Sequence, residues 1–292
     1  MILIDGKKIA GEIKEEIKSK VTGLVKEGKK VPGLVTILVG DDPGSQIYVN
    51  NKHKACREAG MRSKSEIFNA QVSEKELLDV ISSYNNNEDY HGILVQLPLP
   101  ANINKDNIIE AISPKKDVDG LHPVSIGNLV AGKDTFIPCT PAGIQELLKR
   151  YNIETSGRHV VVLGRSNIVG KPVANLMMQK NKYANAIVTV CHSASKDLAQ
   201  YTRTADILIA AIGKPNFVKE NMVKEGVVVI DVGINRIKDD THPNGSRVVG
   251  DVDFSGVSGK ASYITPVPGG VGVMTVAMLL INTYKAYLKY GG

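Results

Sequence analysis

Tryptophan is absent from the 292 residues, and only four are phenylalanine and three cysteine. Basic residues come in short pairs such as Lys7-Lys8, Lys29-Lys30 and Lys115-Lys116. Without polybasic blocks or interleaved aromatics, the chain is not expected to bind nucleic acid. Cys56, Cys139 and Cys191 are odd in number, far apart and in no Cys-x-x-Cys arrangement, which excludes a disulfide framework or zinc knuckle and points to a reducing cytoplasm. Long hydrophobic runs are also missing. The N-terminus reaches a charge at Asp5, unlike a signal peptide, and the apolar run Val276–Ile281 falls far short of the roughly 20 residues of a membrane span. Neither export nor a membrane partner is expected. The six histidines, His53, His91, His122, His159, His192 and His242, show no His-x-x-x-His spacing and no clustering with acids, so no catalytic metal is expected.

What is present suits a soluble two-domain protein. The length corresponds to roughly two domains, and 42% hydrophobic content can build two cores. The net charge of +6, from 36 basic and 30 acidic residues, favours anionic small molecules. Ile9, Ile13, Ile17 and Val21 recur at helical steps before Gly28. A strand follows at Leu34–Val39, then the turn cluster Gly40–Gly44 and a helix to Ala59 that Ser45 is expected to cap. Ser73-x-x-Glu76 reads as a capping box, and Gly92–Leu97 as a short buried strand. Apolar strands at Val160–Leu163, Ala186–Cys191, Ile207–Ile212 and Val227–Asp231 alternate with helical stretches, the signature of an α/β fold with a parallel sheet. Thr140 and Pro141 are expected to open a helix through Arg150. Val271–Tyr290 reads as a last helix that packs back on the first half.

The clearest chemical signal is Gly164-Arg165-Ser166-Asn167-Ile168-Val169-Gly170-Lys171-Pro172 after the strand Val160–Leu163. Gly164 and Gly170 permit a tight turn and close backbone approach, and free N–H groups at a helix start can receive a pyrophosphate. Ser166 stands where the usual fingerprint has its second glycine, so a purely structural turn stays open as an alternative. The next strand ends in Cys191-His192-Ser193 without the acid that would hold the ribose 2′-hydroxyl of NAD, which with Arg165 favours NADP.

In the first half, Tyr48 and Lys52 lie four apart on one helix face. Tyr-x-x-x-Lys also occurs in short-chain dehydrogenases, but there the nucleotide loop comes first, and here it follows by more than a hundred residues. A lysine serves as acid or base when its surroundings lower its pKa from about 10.4, and otherwise Lys52 is a solvated surface residue. Gln96 ends a buried strand, either hydrogen-bonded to nearby backbone or facing a ligand. Asp117 and Asp119 share a turn that lacks the further ligands of a calcium loop; either can cap the turn, or can accept paired N–H groups of a heterocycle such as an aminopyrimidine.

Together these motifs, with Gln96-Leu97-Pro98-Leu99-Pro100, Pro138-Cys139-Thr140-Pro141 and Pro266-Val267-Pro268-Gly269-Gly270-Val271-Gly272, resemble the bifunctional methylenetetrahydrofolate dehydrogenase and methenyltetrahydrofolate cyclohydrolase family over nearly the whole chain. The resemblance implies a folate-binding catalytic domain over 1–138, a Rossmann-type NADP domain over 139–270 with the active site in the cleft between them, and a returning helix over 271–292. It implies that Lys52 is catalytic, Tyr48 packs on the folate, Gln96 tunes Lys52 and Asp119 anchors the pterin. Pro268 and Gly269 would complete the substrate site, and Gly164, Arg165, Ser166, His192, Ser193 and Ile234 would bind NADP. A cytoplasmic homodimer is implied as well. One departure is Val273, where the family usually has proline before Met-Thr; it is expected to shift or loosen the start of the last helix without loss of activity. Two rival readings are a shikimate-dehydrogenase-like enzyme, whose Lys and Asp motifs are not found, and a non-catalytic NADP sensor, which has no need of Lys52, Gln96 and Asp119 together.

Overall fold

Hydrophobic alternation and glycine punctuation produce a chain of strands and helices, seen here in a computed structural model that describes residues 1–241 and 245–291. His242 lies outside the described residues. The first half contains β1 (Ile2–Leu3), α1 (Gly6–Lys26), β2 (Gly33–Val39), α2 (Pro43–Glu58), β3 (Arg62–Phe68), α3 (Glu74–Asn85) and β4 (Gly92–Val95). Then come α4 (Lys105–Ala111), α5 (Pro123–Val130), α6 (Cys139–Arg150), β5 (His159–Leu163), α7 (Gly170–Met177), β6 (Ile187–Cys191), α8 (Leu198–Thr202) and β7 (Ile207–Ala210). The chain closes with β8 (Val228–Asp231), β9 (Asn235–Lys238), β10 (Ser246–Val249), α9 (Phe254–Ser258), β11 (Tyr263–Ile264) and α10 (Val271–Tyr290).

Two compact units result: Met1–Ala10 with Thr140–Thr275, and Gly11–Cys139 with Val276–Gly292. The second holds a parallel three-stranded sheet in the order β3-β2-β4. Its central strand β2 is buried along its whole length, as a strand covered on both faces should be. Val35, Ile37 and Val39 share a core with Leu77, Ile81, Ile93, Val95 and Ile108. Strand β3 was not anticipated, because its sequence Arg-Ser-Lys-Ser-Glu-Ile-Phe carries the polar pattern of an exposed edge.

Helix α10 belongs, from Val276 onward, to this same unit. Tyr287 packs edge-on against His91 with ring centroids 5.0 Å apart, and Lys289 reaches Asp134 at 3.0 Å. As a whole, α10 is long and apolar enough by length and composition to cross a membrane, with mean hydropathy 1.3, which the run Val276–Ile281 alone did not suggest. Half of that stretch is buried inside the protein, and it includes buried Asn282 and Thr283. The helix starts at Val271, so Val273 lies in its first turn and does not displace the start.

The other unit holds a six-stranded sheet in the order β1-β11-β8-β7-β5-β6, every pair parallel. The chain leaves β5 for β6 on one side and returns to β7 on the other, so the strand order reverses around β5, where open α/β sheets bind ligands at their C-terminal edge. Val161, Leu163, Leu208, Ala210, Val229 and Ile264 form its core. A separate antiparallel pair, β9 and β10, was not anticipated from the sequence. Helix α6 starts at Cys139, one residue before the expected cap at Thr140.

Candidate active site

In the three-stranded unit, α2 is started by Asp42 and not by Ser45. The Asp42 carboxylate accepts the Ser45 N–H at 2.7 Å, and Pro43 occupies the first turn, where its missing N–H costs nothing. Val49, Ala55 and Cys56 are buried, which fixes the rotation of the helix. Tyr48 and Lys52 then share a face, the Tyr48 ring 39% exposed and Lys52 half-buried.

Lys52 Nζ donates to Gln96 Oε1 at 2.8 Å, and Gln96 Nε2 donates to Leu97 O at 2.7 Å. An ammonium can only donate and a carbonyl can only accept, so this orientation alone satisfies both ends of the amide. Gln96 lies one residue beyond β4, and its own N–H is tied to Ile37 O at 2.8 Å. Gln96 thus holds local backbone at one end, as the first alternative expected, and the Lys52 amine at the other.

Asp117 and Asp119 divide the work of their turn. Ile93 N–H donates to Lys116 O at 2.9 Å, which docks the segment beside β4. Asp117 is 2% exposed and accepts from Leu121 N–H, His122 N–H and Ser125 Oγ at 3.1, 2.9 and 2.6 Å. Burial nevertheless pushes its carboxyl up to about 6. Asp117 is thus consumed in building the turn, while Asp119 stays half-buried. Gly120 permits the bend with φ +72°, and a Cβ there would lie 2.6 Å from Pro138 N.

Cys139 and Asn282 also border this cluster, though no motif marks them for it. The Cys139 thiol, which donates to Val118 O at 3.6 Å, is pushed well above its ordinary range by burial and by the Asp119 carboxylate, with Lys52 opposing. Asn282 Nδ2 donates to Val118 O at 2.9 Å and Ile137 O at 3.1 Å, tying α10 to the residue before Asp119. A lone amide inside an apolar helical stretch was the available clue.

In the six-stranded unit, Gly164 follows β5 with φ +117°, and a Cβ there would lie 2.1 Å from Ala211 O. A Cβ on Gly170 would lie 2.3 Å from Gly164 O. Both glycines are therefore required by close approach. The helix start, however, is not free. Ser166 Oγ accepts from Val169 N–H at 3.2 Å and Gly170 N–H at 3.3 Å, and Ser166 O accepts from Lys171 N–H at 3.0 Å. This corrects the expectation of unoccupied amides: the serine in place of the second glycine caps α7 itself. Arg165 and Ser166 are themselves exposed.

At the end of neighbouring β6, His192 Nδ1 accepts the Ala194 N–H at 3.2 Å, which leaves the ring proton on Nε2 as a donor. Ser193 is exposed. Beyond β8, Ile234 is 53% exposed. Arg165, Ser166, His192, Ser193 and Ile234 thus all follow C-terminal ends of parallel strands in one sheet. Pro268 and Gly269 also belong to this unit, unlike Tyr48, Lys52, Gln96 and Asp119. Gly269 has φ +109°, and its carbonyl accepts the Lys7 N–H at 3.1 Å. Among the described residues, no three His, Cys, Asp or Glu side chains converge as a metal site.

Comparison with known proteins matches both halves. Residues 4–119 match the tetrahydrofolate dehydrogenase/cyclohydrolase catalytic domain, and residues 138–290 the NAD(P)-binding domain of the same family. The bifunctional protein FolD of Chloroherpeton thalassium is 57% identical over 289 residues, covering 98% of both chains. The crystal structure of the bifunctional FolD methylenetetrahydrofolate dehydrogenase/cyclohydrolase of Campylobacter jejuni superposes with a TM-score of 0.93 at 50% identity, covering 99% of each chain. That of the Trypanosoma brucei methylenetetrahydrofolate dehydrogenase-cyclohydrolase complexed with NADP cofactor and inhibitor gives a TM-score of 0.93 at 40% identity, over 99% of this chain and 98% of that one. Similarity at this level along the whole length leaves no room for the shikimate-dehydrogenase-like alternative, and the chain belongs to the tetrahydrofolate dehydrogenase/cyclohydrolase family.

Proposed function

We propose that the protein oxidises 5,10-methylenetetrahydrofolate to 5,10-methenyltetrahydrofolate with NADP, and hydrolyses the product to 10-formyltetrahydrofolate. The observation that carries this reading is the 2.8 Å bond from Lys52 Nζ to Gln96 Oε1, with the other end of the amide fixed on Leu97 O. It gives a half-buried amine one set position, as a proton-transfer group needs. A cofactor sensor has no use for it.

The folate site falls to the three-stranded unit. The exposed Tyr48 ring offers a face for the pterin, and Asp119 an acceptor for its paired N–H groups, left available because Asp117 takes the backbone donors of the turn. In the hydrolytic step a water adds to the methenyl carbon and loses one proton by way of Lys52; the carbon–N5 bond of the hydroxyl adduct then breaks as N5 takes up a proton, and the hydroxyl gives its own proton to solvent as the formyl C=O forms, for a net release of one proton. Gln96 holds the amine on the reacting side throughout.

The six-stranded unit suits NADP. Close approach at Gly164 leaves no space for a side chain, and Arg165, Ser166, His192 Nε2–H and Ser193 supply donors. No carboxylate follows β6 where NAD selection would place one. Arg165, His192 and Ser193 would hold the 2′-phosphate, Ser166 the neighbouring phosphate or ribose, and Ile234 would pack on the cofactor. When bound, NADP supplies the hydride acceptor of the first step. We assign the protein to the cytoplasm as a homodimer: all three cysteines are free thiols, and β6 is an edge strand with Ile187 65% exposed.

Purified protein assayed with NADP and NAD side by side should oxidise the methylene compound faster with NADP, and should hydrolyse the methenyl compound without cofactor. Absence of both activities overturns the reading.

A further inference from the structure

Asp231 and Asp251 take no part in the chemistry above, and no motif had marked them. Both are buried. Asp231, the last residue of β8, accepts the N–H groups of Gly233, Asp251 and Val252, each at 2.9 Å. Asp251 accepts the N–H groups of Ile212 and Gly213 at 2.7 and 2.9 Å on one oxygen, and Asn235 Nδ2 at 2.8 Å on the other. The backbone has been fitted around these carboxylates. A Cβ on Gly250 would lie 1.8 Å from Asp231 Oδ2, and one on Gly233 2.4 Å from Asp251 Oδ1.

The consequence falls on Ile234. Its predecessor Gly233 donates its backbone N–H to Asp231, while its successor Asn235 is held through its side-chain amide by Asp251 and through its backbone by pairing with β10, so the exposed apolar side chain sits between two anchored residues. Asn235 also starts β9 and pairs with Val249 of β10, so the same carboxylate fixes the base of that hairpin. Through Ile212 and Gly213, Asp251 joins the loop after β7 to the loop after β8.

With the donors proposed for the 2′-phosphate after β6 and the glycine turn after β5, the loops after β7 and β8 would hold the far end of a bound dinucleotide. We propose that Asp231 and Asp251 are positioning residues that preform, with Ile234 and Ile212-Gly213, the wall against which the nicotinamide end of NADP is set. The inference rests on reading Ile234 as a cofactor contact. Such a wall spares the cofactor the cost of ordering a loop on binding and sets its reactive end in one orientation.

The test is Asp251→Asn in the full chain, with NADP affinity measured by calorimetry and both activities by turnover. An asparagine can accept on one side only, so either Asn235 or the Ile212 and Gly213 amides face an NH2 group. We expect NADP binding weakened, and its KM raised, tenfold or more, while cofactor-free hydrolysis of the methenyl compound stays within twofold of wild type. If Asp251→Asn fails to fold, Asn235→Ala decides: it removes one donor from the buried Asp251 carboxylate, so the melting temperature should fall by a few degrees, and the NADP KM should rise three- to tenfold while cofactor-free hydrolysis stays within twofold of wild type. A variant that loses both activities in step with its melting temperature would make the pair merely structural, and unchanged NADP binding in a folded variant would equally overturn the proposal. Failure of the wild type to bind NADP would instead refute the function on which it rests.

Discussion

Replacing Gln96 by alanine removes the acceptor for Lys52 and leaves β4 and the backbone of residue 96 in place. The lost bond, 2.8 Å long with a cationic donor, belongs to the class contributing about 1.5–3 kcal/mol. If that energy fixes the amine where the reacting water needs it, hydrolysis should slow roughly 10- to 150-fold. The second bond of the amide, to Leu97 O, is local and half-buried, so its loss should cost stability about 1 kcal/mol or less. The assay is the decay of methenyltetrahydrofolate absorbance without cofactor, compared with NADP affinity. That affinity should stay within about twofold, because Arg165, Ser166, His192 and Ser193 belong to the other unit. A variant that hydrolyses within threefold of wild type would refute the idea that Gln96 positions Lys52.

Three further outcomes follow from other parts of the molecule. Asn282→Leu strands the carbonyls of Val118 and Ile137, at roughly 1–3 kcal/mol each, so urea denaturation should show a loss of about 2–6 kcal/mol, and the folate KM should rise through neighbouring Asp119; a loss below about 1 kcal/mol contradicts this. Asp117 has a carboxyl raised by burial from 3.8 to about 6, so between those values the folded state holds more proton than the unfolded one and stability falls as pH rises through that window, by up to about 3 kcal/mol. Asp117→Asn should flatten that part of the stability curve, and an unchanged slope between pH 4 and 6 would exclude the residue as its source. His192→Asp with Ser193→Glu places carboxylates after β6 and should move preference from NADP toward NAD by tenfold or more in the ratio of kcat/KM, whereas an unaltered ratio would remove these two positions from cofactor selection.

The elements that could be read from the sequence are those in which side-chain pattern and backbone agree. Ile9, Ile13, Ile17 and Val21 are all buried on α1, and the apolar runs of β2, β5, β7 and β8 lie within a residue or two of their expected limits. β3 escaped because an edge strand lets polar residues face water, and β9–β10 because a short exposed hairpin buries little. Caps were harder: Ser45 and Asp42 are both good capping residues, and Pro43 settled the choice, a local competition that composition alone does not resolve.

The site divides in the same way. The residues proposed to meet substrate or cofactor stand in recognisable motifs, whereas those that hold the surrounding loops act through chain-distant backbone. Asn282 reaches Val118 across 164 positions, and Asp251 reaches Ile212 across 39. No spacing rule connects such pairs. Ser166 was visible as a departure from the usual fingerprint, but its bonds to the Val169 and Gly170 N–H groups at the start of α7 were not.

Methenyl hydrolysis depends, in the reading proposed above, on the one amine that Gln96 positions. Lys52→Met keeps the length and apolar stem of the side chain and removes that amine. Both rates should be measured on this variant, with NADP binding as the folding control. Methenyl hydrolysis should fall by at least a hundredfold with NADP affinity retained; hydrolysis at the wild-type rate would show that Lys52 does not serve the step.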